Sequence, residues 1–394
     1  MNKFILVTTM LLASLFLMAQ NESNAYNFTV VKENPITNIK NQANSGTCWS
    51  FAGVGFLESE LLRIGKGEYD LSEMYIVRRN YEDKAVKYAR LQGSLNFSPG
   101  GSFADVIETL DEYGVVPVNE YQGLMYGEDN HKHGEIDNIL SEYMKGVIAN
   151  KNKKLSPVWF KGYNGILDAY FGEKPSSFEY DGKTYTPQSF ASSLGLKADN
   201  YVSLSSFTHH DFYIKFPIEV PDNWRWANSV NLPLDEFIES IDNALMNGYT
   251  VAWATDVSEI GFTRQGVALV PDLESVENAG SDQAHWLGLT PGERSNQVLS
   301  KLGREILKEK KITQEERQIA YDNYETTDDH GMQIFGVAKD KEGNKFYMVK
   351  NSWGETGPYK GLWYVSEAFV RYKTLNIVIH KDALPKAIAN KLKL

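Results

Sequence analysis

Three segments in the first 120 residues have apolar residues at the three- and four-residue intervals of an amphipathic helix. The first runs from Cys48 to Ile64 and has Glu58 on its polar side. A second helix fits residues 72–91, for which Ser72 is a suitable N-cap. A third helix fits residues 102–113. This part of the chain is therefore predicted to be mainly helical.

The C-terminal part alternates polar turns with apolar runs of the length typical of strands. His330 begins one such run, which ends in a Gly-containing turn at 339–344. A second run, Lys345–Lys350, leads directly into Asn351. Two strands joined by such a turn form a hairpin. The hairpin is expected to bring His330 and Asn351 to the same end of a sheet.

The middle of the chain has no internal repeat, and it is rich in tyrosine, glycine and lysine between residues 120 and 230. A charged stretch at 291–327 contains Thr313 and Glu316 at the spacing of a capping box. The elements predicted here are a helix at 136–150, a turn-rich hairpin at 172–185, a helix at 233–247, a strand at 249–254, and helices at 297–311 and 313–323.

The composition is that of a globular protein, because 42% of the 394 residues are hydrophobic and 12% are aromatic. A chain of this length can form one large core or two packed lobes. The formal net charge of −11 argues against a nucleic-acid partner, since binding to phosphates requires a basic surface.

The N-terminus has the pattern of a secretory signal. Lys3 is followed by an apolar run from Phe4 to Ala19, too short for a spanning helix. Cleavage after Ala19 or Ala25 is expected, and an uncleaved anchor is the alternative. No later segment is long and apolar enough to span a bilayer, so no stable membrane anchor is predicted. The protein is therefore expected to be exported, either to the periplasm or outside the cell.

The single cysteine is the clearest candidate for chemistry. Cys48 stands at the predicted start of a helix, where the macrodipole favours a thiolate. Gln42, six residues earlier, offers an amide that can hold an oxyanion. A lone cysteine can also be a small buried apolar residue. One cysteine excludes an intrachain disulfide, and a free thiol retained in an oxidising compartment suggests that the thiol is used.

Among seven histidines, only His330 has a suitable context for a base. Asn351 can accept a hydrogen bond from its imidazole and fix the tautomer, and Trp353 can cover that bond from water. His131 and His133, like the pair His209–His210, lack the partner spacing of a zinc site, and a solvated loop is the preferred interpretation. No metal and no cofactor are predicted.

Gln42, Cys48-Trp49, His330 and Asn351-Ser352-Trp353-Gly354 occur in the order found in the papain superfamily of cysteine peptidases, which this chain resembles. The first cysteine of the papain signature is absent, and so is its disulfide. The resemblance implies an α+β fold of two lobes: a helical lobe carries the cysteine, and a β-barrel-like lobe carries the histidine and the asparagine. Gly100-Gly101 resembles the strip that lines the substrate cleft, with an ordinary loop as the alternative.

The spacing indicates a branch of this superfamily. In papain-like chains the histidine follows the cysteine by about 130–150 residues, and here roughly 140 more intervene. Segments such as 113–117 and 328–332 resemble the bleomycin hydrolase and aminopeptidase C branch. That resemblance implies a hook-like insertion that assembles a homo-hexamer. It also implies a C-terminal tail lying in the cleft, where the carboxylate of Leu394 would pair with the substrate ammonium.

The resulting hypothesis is a secreted thiol aminopeptidase that acts on peptides. Cys48 is the nucleophile, His330 the base, Asn351 its orienting group and Gln42 an oxyanion donor. Substrate contacts are expected at Gly100, Gly101, Trp353 and Leu394. The tail is basic, unlike the tail associated with this branch. An endopeptidase with an open cleft is the alternative if the tail does not occupy the cleft. A non-catalytic peptide-binding module on the same scaffold is a further alternative.

The expected organisation places the two lobes on either side of an insertion. The predicted segments are a signal peptide at 1–25, the helical lobe at 26–120, the insertion at 121–230, the β-rich lobe at 231–380 with its helical insertion at 291–327, and the tail at 381–394.

Overall fold

A computed structural model describes residues 25–273 and 290–394 of the chain. The predicted signal peptide therefore lies outside the described residues, apart from Ala25. Within the two ranges, no helix combines the length and the apolar character needed to cross a bilayer.

The described ranges contain eleven α-helices and twelve strands. The helices are α1 Cys48–Arg63, α2 Glu73–Arg90, α3 Phe103–Glu112, α4 Gly134–Ile148, α5 Trp159–Phe171, α6 Pro187–Leu194, α7 Leu234–Met246, α8 Pro291–Leu299, α9 Gln314–Asp322, α10 Glu367–Lys373 and α11 Lys386–Leu392. The strands are β1 Thr29–Glu33, β2 Phe178–Tyr180, β3 Lys183–Tyr185, β4 Tyr201–Ser205, β5 Lys215–Pro217, β6 Asn228–Asn231, β7 Val251–Thr255, β8 Val267–Ala268, β9 His330–Lys339, β10 Lys345–Lys350, β11 Leu362–Ser366 and β12 Thr374–His380.

Helix α1 lies at the centre of the molecule, and every residue from Trp49 to Leu61 is buried. A Cβ at Gly53 would lie 2.7 Å from a methyl carbon of Val106 in α3. A Cβ at Gly55 would lie 3.2 Å from the side-chain oxygen of Gln333 in β9. Helix α1 is thus packed closely on two sides, and this accounts for two glycines in a buried helix despite their cost in helix propensity.

Ten of the strands form one sheet in the order β5-β6-β4-β12-β7-β9-β10-β11-β8, and β1 pairs with β9 at the side. The predicted hairpin is confirmed as β9 and β10, in which Lys339 pairs with Lys345. His330 is the first residue of β9, and Asn351 follows the last residue of β10. The helices predicted at 48–64, 72–91 and 102–113 are confirmed as α1 to α3.

The sequence predicts a separate insertion at residues 121–230, but in the structure this segment packs as part of both lobes. Its helices α4 to α6 contribute Leu140, Leu167 and Phe190 to the same apolar core as α1 and α2. Its strands β4, β5 and β6 extend the main sheet, because β4 pairs with β12. The predicted boundary at residue 230 therefore divides strands that belong to one sheet. The hairpin predicted at 172–185 is present as β2 and β3.

The charged stretch at 291–327 contains two helices, as predicted. The first of them lies at a different position from the one predicted. Helix α8 ends at Leu299, so the helix predicted at 297–311 is wrong. Gly303 explains the difference, because its φ of +71° is a left-handed conformation that interrupts a helix. Helix α9 is confirmed, and its capping box joins Thr313 and Glu316 as predicted.

A buried ion cluster attaches the N-terminal segment to the helical lobe. Lys40 Nζ lies 2.9 Å from Glu58 Oε1 and 2.5 Å from Glu73 Oε1. Thr37 donates a 2.6 Å hydrogen bond to the other oxygen of Glu58. Burial alone would lower the pKa of Lys40, but Glu73 and Glu58 raise it above its ordinary value. The cluster thereby holds the segment that leads to Gln42.

Candidate active site

Cys48 is the first residue of α1 and lines a cleft between the helices and the sheet. Burial raises the pKa of its thiol to about 12, while hydrogen bonds from the backbone amides of Gly331 and Trp49 act in the opposite direction. The negative charges of Asp328 and Asp222 also oppose ionisation. The thiol on its own is therefore protonated at neutral pH, and its activation requires a base that removes the proton.

His330 lines the same cleft and is held by Asn351. The distance from His330 Nε2 to Asn351 Oδ1 is 2.8 Å. An amide oxygen only accepts hydrogen bonds, so Nε2 carries the proton and Nδ1 is left with a free lone pair. The backbone amide of Ser352 also donates to Asn351 Oδ1, at 2.7 Å, and this second bond fixes the orientation of the amide.

Burial lowers the pKa of His330 to about 4, and the hydrogen bond with Asn351 partly opposes this shift. The imidazole is therefore neutral at pH 7 and able to accept a proton at Nδ1. Trp353 lies over the ring, with the two ring centroids 4.7 Å apart and the planes inclined by 31°. The indole thus lies next to the histidine–asparagine pair, where it shields the pair from water.

Gln42 is joined to the loop after β10 by two hydrogen bonds. Ser352 Oγ donates to the side-chain Oε1 of Gln42 at 2.6 Å. The backbone N–H of Gln42 donates to the Ser352 carbonyl at 2.8 Å. Because Oε1 accepts from Ser352, the Nε2 end of the side chain is the donor left for the cleft that Gln42 lines. The structure therefore brings Gln42, Cys48, His330 and Asn351 together.

The cleft encloses about 240 Å³ and is bounded by residues from both lobes. Gly100 and Gly101 form part of one wall, as the sequence predicted, and a Cβ at Gly101 would lie 2.8 Å from the Trp49 ring. Three carboxylates also line the cleft, from Asp222, Asp328 and Asp329, whereas no lysine or arginine of the described ranges does. These acidic residues were missed by the sequence analysis.

Leu394 does not line the cleft, contrary to the expectation for the tail. Strand β12 begins at Thr374, which pairs with Thr255, and Thr255 in turn pairs with His330. The strand then runs away from the site for six residues, a distance of about 20 Å. Helix α11 follows, and its Lys391 lies 2.6 Å from Glu236 of α7. The geometry of β12 thus directs the tail away from the catalytic residues.

One group of side chains in the described ranges could hold a metal ion. His209, His210 and Glu219 each place one ligand atom within 4.8 Å of the others. Each histidine Nε2 lies 3.1 Å from an oxygen of Glu219, so the carboxylate already pairs with both rings. None of the three lines the catalytic cleft. The chemistry of the cleft involves a thiol, an imidazole and two amides, as in a cysteine peptidase.

This site geometry defines a thiol peptidase of the papain type, and comparisons with known proteins agree. Residues 25–155 match the papain family of cysteine proteases, and residues 304–394 match the peptidase C1-like family. The crystal structure of PepW from Lactobacillus rhamnosis superposes with a TM-score of 0.69 and 20% sequence identity, covering 94% of this chain and 86% of that chain.

Curated relatives give the branch. Aminopeptidase C of Streptococcus thermophilus is 23% identical, covering 88% of this chain and 81% of the relative. Aminopeptidase C of Lactococcus lactis subsp. cremoris is also 23% identical, and the match covers 95% of this chain and 87% of the relative. The chain belongs to the papain superfamily of cysteine peptidases, in the aminopeptidase C branch, and has its two-lobe α+β fold.

Proposed function

We propose that this cysteine peptidase is an exported aminopeptidase that removes residues from the N-termini of peptides. The observation that carries the proposal is the catalytic group, Gln42, Cys48, His330 and Asn351, placed in a small cleft lined by carboxylates. An acidic cleft suits a substrate that enters with a free ammonium group. The names of the relatives, which are aminopeptidases C, support the same activity.

Catalysis starts with transfer of the Cys48 proton to Nδ1 of His330. Burial disfavours each charge on its own, but the transfer creates a thiolate beside an imidazolium, and these opposite charges stabilise one another. The positive end of α1 and the amides of Gly331 and Trp49 add to the stabilisation of the thiolate. Asn351 holds the imidazolium by accepting the hydrogen bond from Nε2.

The thiolate then attacks the carbonyl carbon of the first peptide bond. Negative charge develops on the carbonyl oxygen, which accepts hydrogen bonds from Gln42 Nε2 and from the Cys48 backbone amide, an unpaired donor at the helix start. His330 returns its proton to the leaving amine, and the first residue stays attached as a thioester. Water activated by His330 hydrolyses the thioester and regenerates the thiol.

The position of the tail favours a second candidate, an endopeptidase with an open cleft, because the carboxylate of Leu394 does not line the site. The two candidates are separated by fluorogenic peptides that differ only in a free or an acetylated N-terminus. An aminopeptidase cleaves only the free-amine substrate, whereas an endopeptidase cleaves both. Cys48→Ala is the control for contaminating activity, since it removes the nucleophile.

Export and assembly are separate parts of the proposal. The lysine and apolar run in residues 1–25 support export, and sequencing of the mature N-terminus from a cell fraction tests it: a start at residue 20 or 26 supports cleavage, and a start at Met1 contradicts it. A homo-hexamer stays a prediction from the branch resemblance. Sedimentation velocity distinguishes a hexamer from a monomer.

A further inference from the structure

The Asp222 carboxylate lies directly against Gly100 in the wall of the cleft. A Cβ built on Gly100 would lie 2.1 Å from Asp222 Oδ2 and 2.4 Å from Oδ1. The carboxylate thus occupies the space that a side chain at Gly100 would fill. Both residues line the cavity that contains Cys48. Asp222 comes from the insertion, far from the catalytic cysteine in sequence.

The loop that carries Asp222 is attached to the helical lobe on both sides. Before it, Asn96 donates to the Pro221 carbonyl at 3.4 Å and to Asp222 Oδ1 at 3.3 Å. After it, the indole of Trp224 donates to Asp105 at 3.1 Å, and Arg225 pairs with the other oxygen of Asp105 at 2.7 Å. These contacts hold the carboxylate in place over the glycine.

This position has a steric consequence for a bound peptide. A substrate residue packed on the face of Gly100 where a Cβ would stand would meet the Asp222 carboxylate. The space for substrate beside Gly100 and Gly101 is therefore limited by the Asp222 side chain. Such a wall suits a chain end better than a peptide that continues past it.

No lysine or arginine of the described ranges lines this part of the cleft. No hydrogen bond or ion pair reaches the Asp328 side chain from the described ranges. Burial and the negative charges of Asp222 and Asp329 raise the pKa of Asp328 to about 8, so its ionised form is stabilised by a cation bound beside it. Lys84 attracts Asp222, but its ammonium donates to the carbonyls of Ser98 and Gly100. Asp329 accepts hydrogen bonds from the backbone amides of Val257 and Ser258. Asp222 accepts hydrogen bonds from the side chains of Asn96 and Ser98, and none from a backbone amide of the described ranges. Asp222 and Asp328 are thus the two carboxylates available to a cation in the cleft.

We propose that Asp222 and Asp328 bind the α-ammonium group of the peptide substrate, and that the Asp222 loop closes the cleft beyond it. The inference rests on the proposed aminopeptidase function and names the group that selects a chain end. Asp222 from the insertion and Asp328 perform this task, while Leu394 does not line the cleft. The ligand is a primary ammonium, and the discrimination is against acetylated or extended N-termini.

The test compares purified wild-type protein with Asp222→Asn, Asp222→Ala and a chain lacking residues 393 and 394. Each is assayed with paired fluorogenic peptides whose N-terminus is free or acetylated. Asp222→Asn keeps the shape but removes the charge, so kcat/KM for the free-amine peptide is expected to fall at least about tenfold, mainly through KM. Asp222→Ala opens the wall, so cleavage of acetylated peptides is expected to increase. Removal of the last two residues is expected to change neither rate.

Folding of each variant is checked by circular dichroism. It is also checked by the number of iodoacetamide groups bound to Cys48 per molecule once labelling is complete. An unchanged preference in folded Asp222→Asn, or a loss of preference in the truncated chain, overturns the inference while leaving the aminopeptidase proposal intact. A wild-type protein that cleaves both peptides equally contradicts the aminopeptidase proposal itself. A parallel fall in Asp328→Asn supports the second carboxylate, and no fall there removes Asp328 from the site.

Discussion

Ser352 Oγ lies 2.6 Å from Gln42 Oε1, and this hydrogen bond decides which end of the Gln42 amide faces the catalytic thiol. Ser352 follows directly after Asn351, which orients His330. One short loop therefore fixes both the base and the oxyanion donor, although the two lie in different parts of the chain.

Ser352→Ala is expected to lower kcat by about tenfold, with a small effect on KM. Loss of a whole oxyanion donor costs roughly a hundredfold or more, and a freely rotating amide still donates part of the time. Steady-state kinetics measures the change, with Gln42→Ala as the upper limit. Ser300→Ala is the control, because this exposed hydroxyl donates only to the Gln297 carbonyl. An unchanged kcat in Ser352→Ala would show that Gln42 is oriented in another way.

Asn351→Ala is expected to lower kcat/KM at pH 7 at least about tenfold, because the imidazole loses the group that orients it. His330 accepts the thiol proton only while it is neutral, so acidification through its pKa of about 4 removes activity. The bond with Asn351 raises that pKa, and its loss should move the acid limb to lower pH.

The pH profile of kcat/KM tests this expectation. Asn344→Ala is the control, because Asn344 lies in the turn of the same hairpin and bonds Asp340. Movement of the acid limb to higher pH would be inconsistent with a pKa raised by Asn351.

Lys40→Met is expected to lower the free energy of unfolding by about 3–5 kcal/mol, because it leaves buried carboxylates without their cation. Glu58 has no exposed side-chain surface, and the Glu73 side chain is only 6% exposed. Urea unfolding followed by circular dichroism gives the difference. The matched control is Lys132→Met at the exposed pair with Glu128, where no change is expected. Equal midpoints for wild type and Lys40→Met would refute the role of the cluster.

Asp137→Asn is expected to stabilise the protein at pH 8. Burial raises the pKa of Asp137 to about 7, while an unfolded aspartate titrates near 4. The folded state thus holds a proton that the unfolded state releases, and the stability this provides is complete below about pH 4 and lost as pH rises to about 7. The asparagine avoids that loss and still accepts the Tyr81 hydroxyl.

Melting temperatures at pH 4 and pH 8 measure the effect, and the gain should be larger at pH 8. The exposed substitution Asp129→Asn serves as the reference and should shift neither value. If the melting temperature of Asp137→Asn increased more at pH 4 than at pH 8, the result would contradict a raised pKa of Asp137.

Much of the helical lobe follows from local sequence. The periodicity of α1, the Ser72 cap of α2 and the turn between β9 and β10 are short-range signals, and each element formed where it was expected. Cys48, His330 and Asn351 also carry local signals, since each stands at the start or just past the end of such an element, whereas Gln42 lies in the loop before α1. The helix expected at 297–311 shows the limit, because one glycine in a left-handed conformation outweighs a favourable charged pattern.

The features that the sequence pattern did not predict are determined by tertiary packing. Helical periodicity assigns Glu58 to the polar side of α1, whereas the structure buries it completely against Lys40. Asp222 carries no local signal, because its position over Gly100 results from contacts of its loop with Asn96 and Asp105. The division of residues 121–230 between the two lobes depends on the pairing of β4 with β12, which lie far apart in the chain.

The only thiol in the chain is that of Cys48, the proposed nucleophile, and it lines the cleft. A maleimide dye therefore attaches at a single known position without any engineering. The amount of dye bound counts the working sites in a preparation, which turns apparent rates into rates per functional molecule. An environment-sensitive dye at the same position would also report peptides entering the cleft of a protein that can no longer consume them.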